Sequence, residues 1–188
     1  AVERADVVII VIDATEGVTE QDAKIAGIAH DRGKGIIIAV NKWDLVEKND
    51  KTIYRFTESV RKTLSFMPYA EIMFISAKTG QRLPKLYDTI DMVMENHALR
   101  VATGVLNEIM AEAVALQQPP SDKGRRLKVY YMTQASVAPP TFVLFCNSAA
   151  LFHFSYQRYI ENCLRNTFGF KGTPLKFIIR ERKDGDNN

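Results

Sequence analysis

Two short polar clusters carry the residue types that could read a ligand. Asn41-Lys42-Trp43-Asp44 follows the apolar, mostly β-branched run Ile36-Ile37-Ile38-Ala39-Val40, and Ser76-Ala77-Lys78 follows Glu71-Ile72-Met73-Phe74-Ile75. Runs without polar alternation read as strands buried on both faces, and open parallel sheets bind ligands at the carboxyl ends of such strands. A carboxylate there can accept two donors set side by side, and an amide can donate and accept. A lysine can lay its stem along a flat ligand while its ammonium stays in water. The chemistry is recognition of a planar polar edge.

Asn-Lys-x-Asp resembles the guanine-recognition motif of GTPases, and the residue types suit that task. The guanine edge offers the ring N1-H and the 2-amino group side by side, and Asp44 can accept both. Adenine offers an acceptor at N1 and no 2-amino group. It would leave the carboxylate unpaired, at about 1.5–3 kcal/mol for hydrogen bonds to a charged group. Lys42 would cover the base plane, and the Asn41 amide would tie the loop down and face the base. Ser76-Ala77-Lys78 resembles the loop that completes the base pocket in the same proteins. The resemblance implies that the Ala77 N-H donates to guanine O6, that Ser76 braces the turn, and that the Lys78 stem covers the base.

The elements that must position these loops follow from the rest of the chain. Val7 to Ile12 lacks alternation and reads as a central parallel strand ended by Asp13. Thr19 with Asp22 reads as a helix N-cap with a first-turn acid, followed by Ile25, Ile28 and Ala29 at helical spacing. Gly33 and Gly35 stop that helix. Gly33-Lys34 superficially resembles a phosphate loop, but the spacing from Gly27 is one residue too long and Gly35 stands where Ser or Thr should be. The segment also leads from helix to strand, so a glycine C-cap explains it. A helix over about residues 52–65 carries Ile53, Phe56, Val60 and Leu64. Another, ending near Asn96, carries Leu83, Leu86, Ile90, Val93 and Met94. Three strand–helix repeats make half of a doubly wound α/β sheet.

From Val101 the pattern changes. Thr103 can cap a helix with Val105, Leu106, Ile109, Met110 and Ala113. Pro119-Pro120 ends it, and a basic loop spans residues 121–126. Strands over 127–133 and 141–146 read as an antiparallel pair. A helix over 155–168 turns Tyr156, Tyr159, Ile160, Cys163 and Leu164 inward and is C-capped by Gly169. A last strand covers 175–180, and the tail 184–188 is expected to be disordered. Gly169-Phe170-Lys171-Gly172 spells the G-x-x-G of nucleic-acid-gripping KH domains. That loop joins two helices, whereas this one leads into a strand, so the C-cap reading prevails.

Bulk properties bound the function. The chain has 188 residues, 46% hydrophobic and 25% charged, enough for a packed core. No apolar run approaches the roughly 18 residues of a membrane span, and Ala1-Val2-Glu3-Arg4-Ala5-Asp6 lacks a signal-peptide pattern, so no membrane partner and a cytoplasmic location are expected. Cys146 and Cys163 read as free buried thiols. His30, His97 and His153 are scattered without ligand spacing and read as surface or boundary residues, so no metal site is expected. Residues 1–99 hold 13 Lys/Arg against 15 Asp/Glu and the remainder 12 against 7, a balance of −2 then +5. The asymmetry suggests two domains, the second facing a polyanion.

Further motifs resemble the Der (EngA) family of bacterial tandem GTPases of ribosome assembly. They are Asp13-Ala14-Thr15-Glu16-Gly17 with Glu20-Gln21-Asp22, Asn96-His97 with Arg100, Tyr130-Tyr131 with Gln134, and Pro139-Pro140-Thr141-Phe142. His153-Phe154-Ser155-Tyr156 and Phe168-Gly169-Phe170 with Gly172-Thr173-Pro174 complete the set. The resemblance covers the whole chain. It implies a partial P-loop-GTPase-type parallel sheet over residues 1–98, the latter half of that family's second G domain, followed by an α+β KH-like domain over 99–188. It implies GTP and GDP, with Mg²⁺, as ligands of the parent protein, and the large ribosomal subunit or rRNA as partner. No phosphate loop, switch threonine or Asp-x-x-Gly is matched, so no catalytic residue falls in these 188, GTP hydrolysis is not expected of the piece alone, and guanine binding should be feeble at most. The alternative is a nucleotide-independent RNA- or ribosome-binding module. Lys123, Arg125, Arg126, Lys128, Arg180, Arg182 and Lys183 are the candidate phosphate contacts. The strand Val7 to Asp13 would present an open edge in such a piece, so either self-association through it or lower order of residues 1 to about 15 is also expected.

Overall fold

The computed structural model describes residues 2–182. Lys183, and the tail expected to be disordered, lie outside the described residues. The chain forms two compact units that are not contiguous in sequence: residues up to His97 together with Lys171–Pro174, and Ala98–Phe170 together with the residues from Leu175 onward.

The first unit is built on a three-stranded parallel sheet of β1 (Val7–Asp13), β2 (Gly35–Asn41) and β3 (Glu71–Phe74), in the order β1-β2-β3. β2 is the central strand and is buried from Gly35 to Val40. Its Ile36, Ile38 and Val40 pack with Ile10 and Ile12 on one face, while Ile37 and Ala39 pack with Met73, Ile75 and Val93 on the other. β1, read as a central strand of the complete sheet that would be left with an open edge in this piece, lies at the edge. Among the described residues its one strand neighbour is β2, and its Val11 is 57% exposed.

Helix α1 (Glu20–Asp31) begins with a capping box between Thr19 and Asp22 and ends at Gly33, whose φ of 66° supplies the left-handed turn. Its inward residues match expectation only in part: Ala29 is buried, joined by Ala26, whereas Ile25 and Ile28 are 45% and 50% exposed. Two alanines let the helix lie close to the sheet, and that turns the isoleucines away. Helix α2 (Thr52–Thr63) buries Val60, with Leu64 just beyond its end and Phe56 part-buried, while Ile53 points outward. Helix α3 (Leu83–His97) covers the second face through Val93, with Leu86 and Ile90 beside it, and Met94 is partly exposed.

The segment Lys171–Pro174 completes this unit. The Ile36 N-H donates to the Gly172 carbonyl at 2.7 Å, and the Gly172 N-H donates to the Tyr69 carbonyl at 2.9 Å. Thr173 is fully buried, and its Oγ1 lies 2.8 Å from His97 Nδ1. His97 is therefore no boundary residue: it is 2% exposed and paired, and burial holds its pKa below the ordinary imidazole range.

The second unit starts with α4 (Thr103–Leu116), whose N-cap position is Ala102; Thr103 is the first helical residue and makes no cap bond. The expected basic loop is a hairpin, β4 (Ser121–Asp122) paired with β5 (Arg125–Arg126) around Lys123 and Gly124, both at positive φ. β6 (Val129–Ser136) pairs antiparallel with β7 (Thr141–Cys146), and β7 pairs parallel with β8 (Lys176–Glu181). Helix α5 (Phe154–Phe168) ends at Gly169, at φ 87°. The core joins Leu106 and Met110 of α4, Met132, Phe142 and Leu144 of the sheet, and Tyr156, Ile160 and Leu164 of α5. Cys146 and Cys163 are free thiols, the first buried.

Candidate functional site

β2 delivers residues 41–44 and β3 delivers residues 76–78 to the same end of the sheet, since parallel strands carry their carboxyl ends together. The chain turns sharply after β2 because Lys42 adopts the left-handed conformation, φ 60°. Trp43 then drops into the core, 1% exposed, against Phe56 and Phe74 at centroid distances of 5.2 and 4.6 Å, and its backbone N-H donates to the Ile75 carbonyl. An aromatic anchor of this kind fixes the loop around it. Sequence reasoning passed over Trp43, although it is the chain's single tryptophan.

Asn41, Lys42, Asp44, Ser76, Ala77 and Lys78, with Leu45, line one cavity of about 330 Å³. Buried Ser76 donates its hydroxyl to Asp44 Oδ1 at 2.6 Å and accepts the Thr79 N-H, so it both braces its turn and orients the carboxylate. The Ser76 hydroxyl, aided by Lys78 and Lys48, holds the Asp44 carboxyl below its ordinary range, keeping it an acceptor. One hydroxyl occupies only one of the carboxylate's roughly four acceptor sites, which leaves room for two further donors.

Two contacts differ from expectation. The Ala77 N-H, expected to face guanine O6, donates to Asn41 Oδ1 at 2.9 Å, because that amide oxygen is the acceptor that stitches the two loops together. The Lys42 side chain stays half exposed, as expected of an ammonium in water, but it also pairs with Asp13 Oδ2 at 2.5 Å. Asp13 is set level with this loop by the β1–β2 register, which matches it with Asn41. The Lys42 contact, with the Thr15 hydroxyl and N-H at 2.7 and 2.9 Å, pulls the Asp13 carboxyl down to about 2. The signal for Asp13 was its place at the end of an apolar strand parallel to the one that delivers Lys42.

A second cleft, of about 340 Å³, lies between residues 14–18 and α2, with Ile12, Val40, Phe56 and Val60 in its lining. Its polar lining is Thr15, Glu16, Arg55 and Ser59, and it contains none of the residues of the 41–44 and 76–78 loops. Among the described residues no group of three or more His, Cys, Asp and Glu side chains is placed to hold a metal ion. Among them, too, no helix is long and apolar enough to cross a membrane.

The candidate phosphate contacts fall in two groups. Lys123, Arg125 and Arg126 are exposed on the β4–β5 hairpin, and exposed Lys128 follows, its N-H bonded to Asn147 Oδ1. Arg180 is exposed on β8, and Arg182 lies 6.0 Å from the centroid of the Tyr131 ring. Lys183 lies outside the described residues.

Residues 1–96 match the elongation factor Tu GTP binding domain, and residues 100–180 match the KH-domain-like of EngA bacterial GTPase enzymes, C-terminal. The chain is 71% identical over 186 residues to GTPase Der of Lachnoclostridium phytofermentans and to that of Agathobacter rectalis, and 58% identical over 186 residues to that of Alkaliphilus metalliredigens. Each alignment covers 99% of this chain and 42% of the relative, so the chain spans less than half the length of these proteins. Among solved structures, Aquifex aeolicus Era bound to GDP.AlF4- aligns with 97% of this chain and 68% of its own at 19% identity and a TM-score of 0.43, a likeness too loose to carry an argument.

Proposed function

The chain belongs to the Der (EngA) family of GTPases, and from that membership we propose that its first unit reads the guanine base of GTP and GDP in the cavity between residues 41–44 and 76–78. The observation that carries the reading is Asp44, an ionised carboxylate oriented by a buried serine hydroxyl and opening into a cavity lined by both loops. The N1-H and 2-amino group of guanine are donors set side by side, and the carboxylate accepts both. Lys42 and Lys78 flank the base with their aliphatic stems. Asn41 holds the second loop against the first by accepting the Ala77 N-H. Hydrolysis of GTP with Mg²⁺, in the cytoplasm, belongs to the whole protein, and this chain contributes base selection.

The test is Asp44→Asn in the full-length protein, with GDP and XDP competing. The amide donates to the xanthine 2-oxo group and fails to accept the guanine donors. GDP should weaken by about 10- to 150-fold, for hydrogen bonds to a charged group worth roughly 1.5–3 kcal/mol, and XDP should tighten. An unchanged preference would remove Asp44 from the site.

A second reading, that the other unit meets RNA of the large ribosomal subunit, is favoured by the exposed cations of the β4–β5 hairpin and the +5 balance of residues 100–188. Affinity for large-subunit particles should fall steeply with salt. Charge reversal at both Arg125 and Arg126 should flatten the log–log slope by about 1 or more. A salt-insensitive association would exclude electrostatic docking.

A further inference from the structure

The three-stranded sheet of the second unit has one face in the core, while the other is buried at Thr141 and Val143 and only part-buried at Tyr131 and Phe145. The β6–β7 and β7–β8 registers decide which residues lie where. Met132, Leu144, Phe142 and Cys146 belong to the core cluster, so their neighbours along each strand point to the opposite face. On that face Tyr131 of β6 sits across from Phe145 of β7, and Phe145 sits across from Arg180 of β8. Ile178 and Lys176 lie further along β8.

Three properties of this face belong together. Tyr131 and Phe145 form a near-parallel stack, with centroids 4.3 Å apart and planes inclined by 14°, and both rings are only part-buried. The guanidinium of Arg182 lies over the Tyr131 ring, and exposed Arg180 and Lys176 extend the positive charge along β8. No acidic residue lies on this face of β6, β7 or β8: β6 and β7 contain none, and Glu181 of β8 turns away to accept the Ala149 N-H. Lys176 and Arg180 are four residues apart, about 13 Å along a strand, too far for one phosphate to bridge. An aromatic stack edged by spaced cations, on three strands whose described residues put no carboxylate on this face, matches a ligand that alternates flat rings with phosphates.

We propose that this face is a stacking platform for single-stranded RNA, in which an unpaired base takes the Tyr131 face that Arg182 covers in the free protein, and Arg182 moves onto a neighbouring phosphate beside Arg180 and Lys176. The inference deepens the RNA reading of the second unit and rests on it. It assigns recognition to unpaired bases on the sheet face, whereas the hairpin cations alone would attract any polyanion. A duplex presents no open base face to the platform, so single strands should be preferred.

The test uses the 188-residue chain and a fluorescein-labelled 12-nucleotide RNA in single-stranded and duplexed form, followed by anisotropy. A 2-aminopurine version reports stacking through quenching. Tyr131→Ala and the bulkier Tyr131→Leu should each raise the single-strand Kd by about five- to hundred-fold and abolish the quenching, while Tyr131→Trp should retain both. Circular dichroism identifies any variant that has lost its fold, and Tyr131→Leu, which keeps the bulk, decides the matter if Tyr131→Ala unfolds. If single-stranded RNA binds but Tyr131→Leu binds it as tightly and quenches it as much, or if the duplex competes equally, the platform is wrong and the RNA reading stands on the hairpin. If wild type binds neither form at low salt, the RNA reading itself fails and takes the platform with it.

Discussion

Replacing Gly172 by alanine should destabilise the first unit far more than a surface loop change would. A Cβ at this position would stand 2.3 Å from Val93 Cγ2 and 3.0 Å from Cγ1, on a backbone whose φ of 75° disfavours any side chain. The left-handed backbone costs about 1–2 kcal/mol, and overpacking a filled core costs about 1–3 kcal/mol. The clash also strains the two backbone hydrogen bonds that Gly172 makes to Ile36 and Tyr69. The expected loss is about 2–5 kcal/mol in all. Trp43 is the only tryptophan and is buried in this unit, so its fluorescence in a urea titration isolates the relevant transition even where the two units unfold separately. The cause can be separated from backbone strain by a double-mutant cycle. Val93→Ala removes both γ-methyl groups but leaves Cβ at 3.2 Å, so Gly172→Ala should cost about 1–2 kcal/mol less in that background. A Gly172→Ala loss under about 1 kcal/mol, or strict additivity with Val93→Ala, would refute the packing argument.

Two titrations follow from the same unit. Lys42→Ala should release the Asp13 carboxyl from about 2 toward the ordinary carboxylate range in an NMR titration. Because the folded value is depressed, the pair is complete above the ordinary carboxylate pKa and is lost as pH falls toward 2; an unmoved Asp13 would mean that Lys42 is not its partner. Burial depresses the His97 pKa, with Lys34 adding to the shift and Asp6 opposing it, so the unfolded chain takes up the proton first as pH falls. Stability read from Trp43 should therefore decline as pH drops below about 6.5 and level off below the folded value. His97→Gln should flatten that limb, and an unchanged limb would assign it to another group.

The parallel strands, the two polar loops at their carboxyl ends and the helix caps could be read from the sequence because each has a local cause. A run such as Ile36-Ile37-Ile38-Ala39-Val40 has few alternatives to a doubly buried strand, and Thr19 with Asp22 needs only its own turn to form a capping box. What escaped was non-local. Nothing near Gly172 in sequence announces that its carbonyl will meet Ile36, more than a hundred residues earlier. The pairing of Lys42 with Asp13 depends on a strand register, and the outward turn of Ile25 and Ile28 depends on which helix face the sheet accepts. The hairpin at residues 121–126 was hidden for a different reason: two-residue strands leave no alternation to detect.

β2 links the two ends of this unit, and its burial decides how a disturbance at one end should register at the other. Its first residues are held by Asp6 and Gly172, its last residue leads into the Asp44 loop, and it is buried on both faces from Gly35 to Val40. A close-packed strand of this kind has no second arrangement to adopt, and coupling between distant sites requires one. Strain at Gly172 should therefore appear as lost stability of the whole unit and not as a graded change in the base loops. Gly172→Ala in the full-length protein, at a temperature where it remains folded, should keep the guanine-over-xanthine preference set by Asp44. A preference that shifted with Gly172 while Trp43 stayed buried would show that the strand has two seats, and that Lys171–Pro174 selects between them.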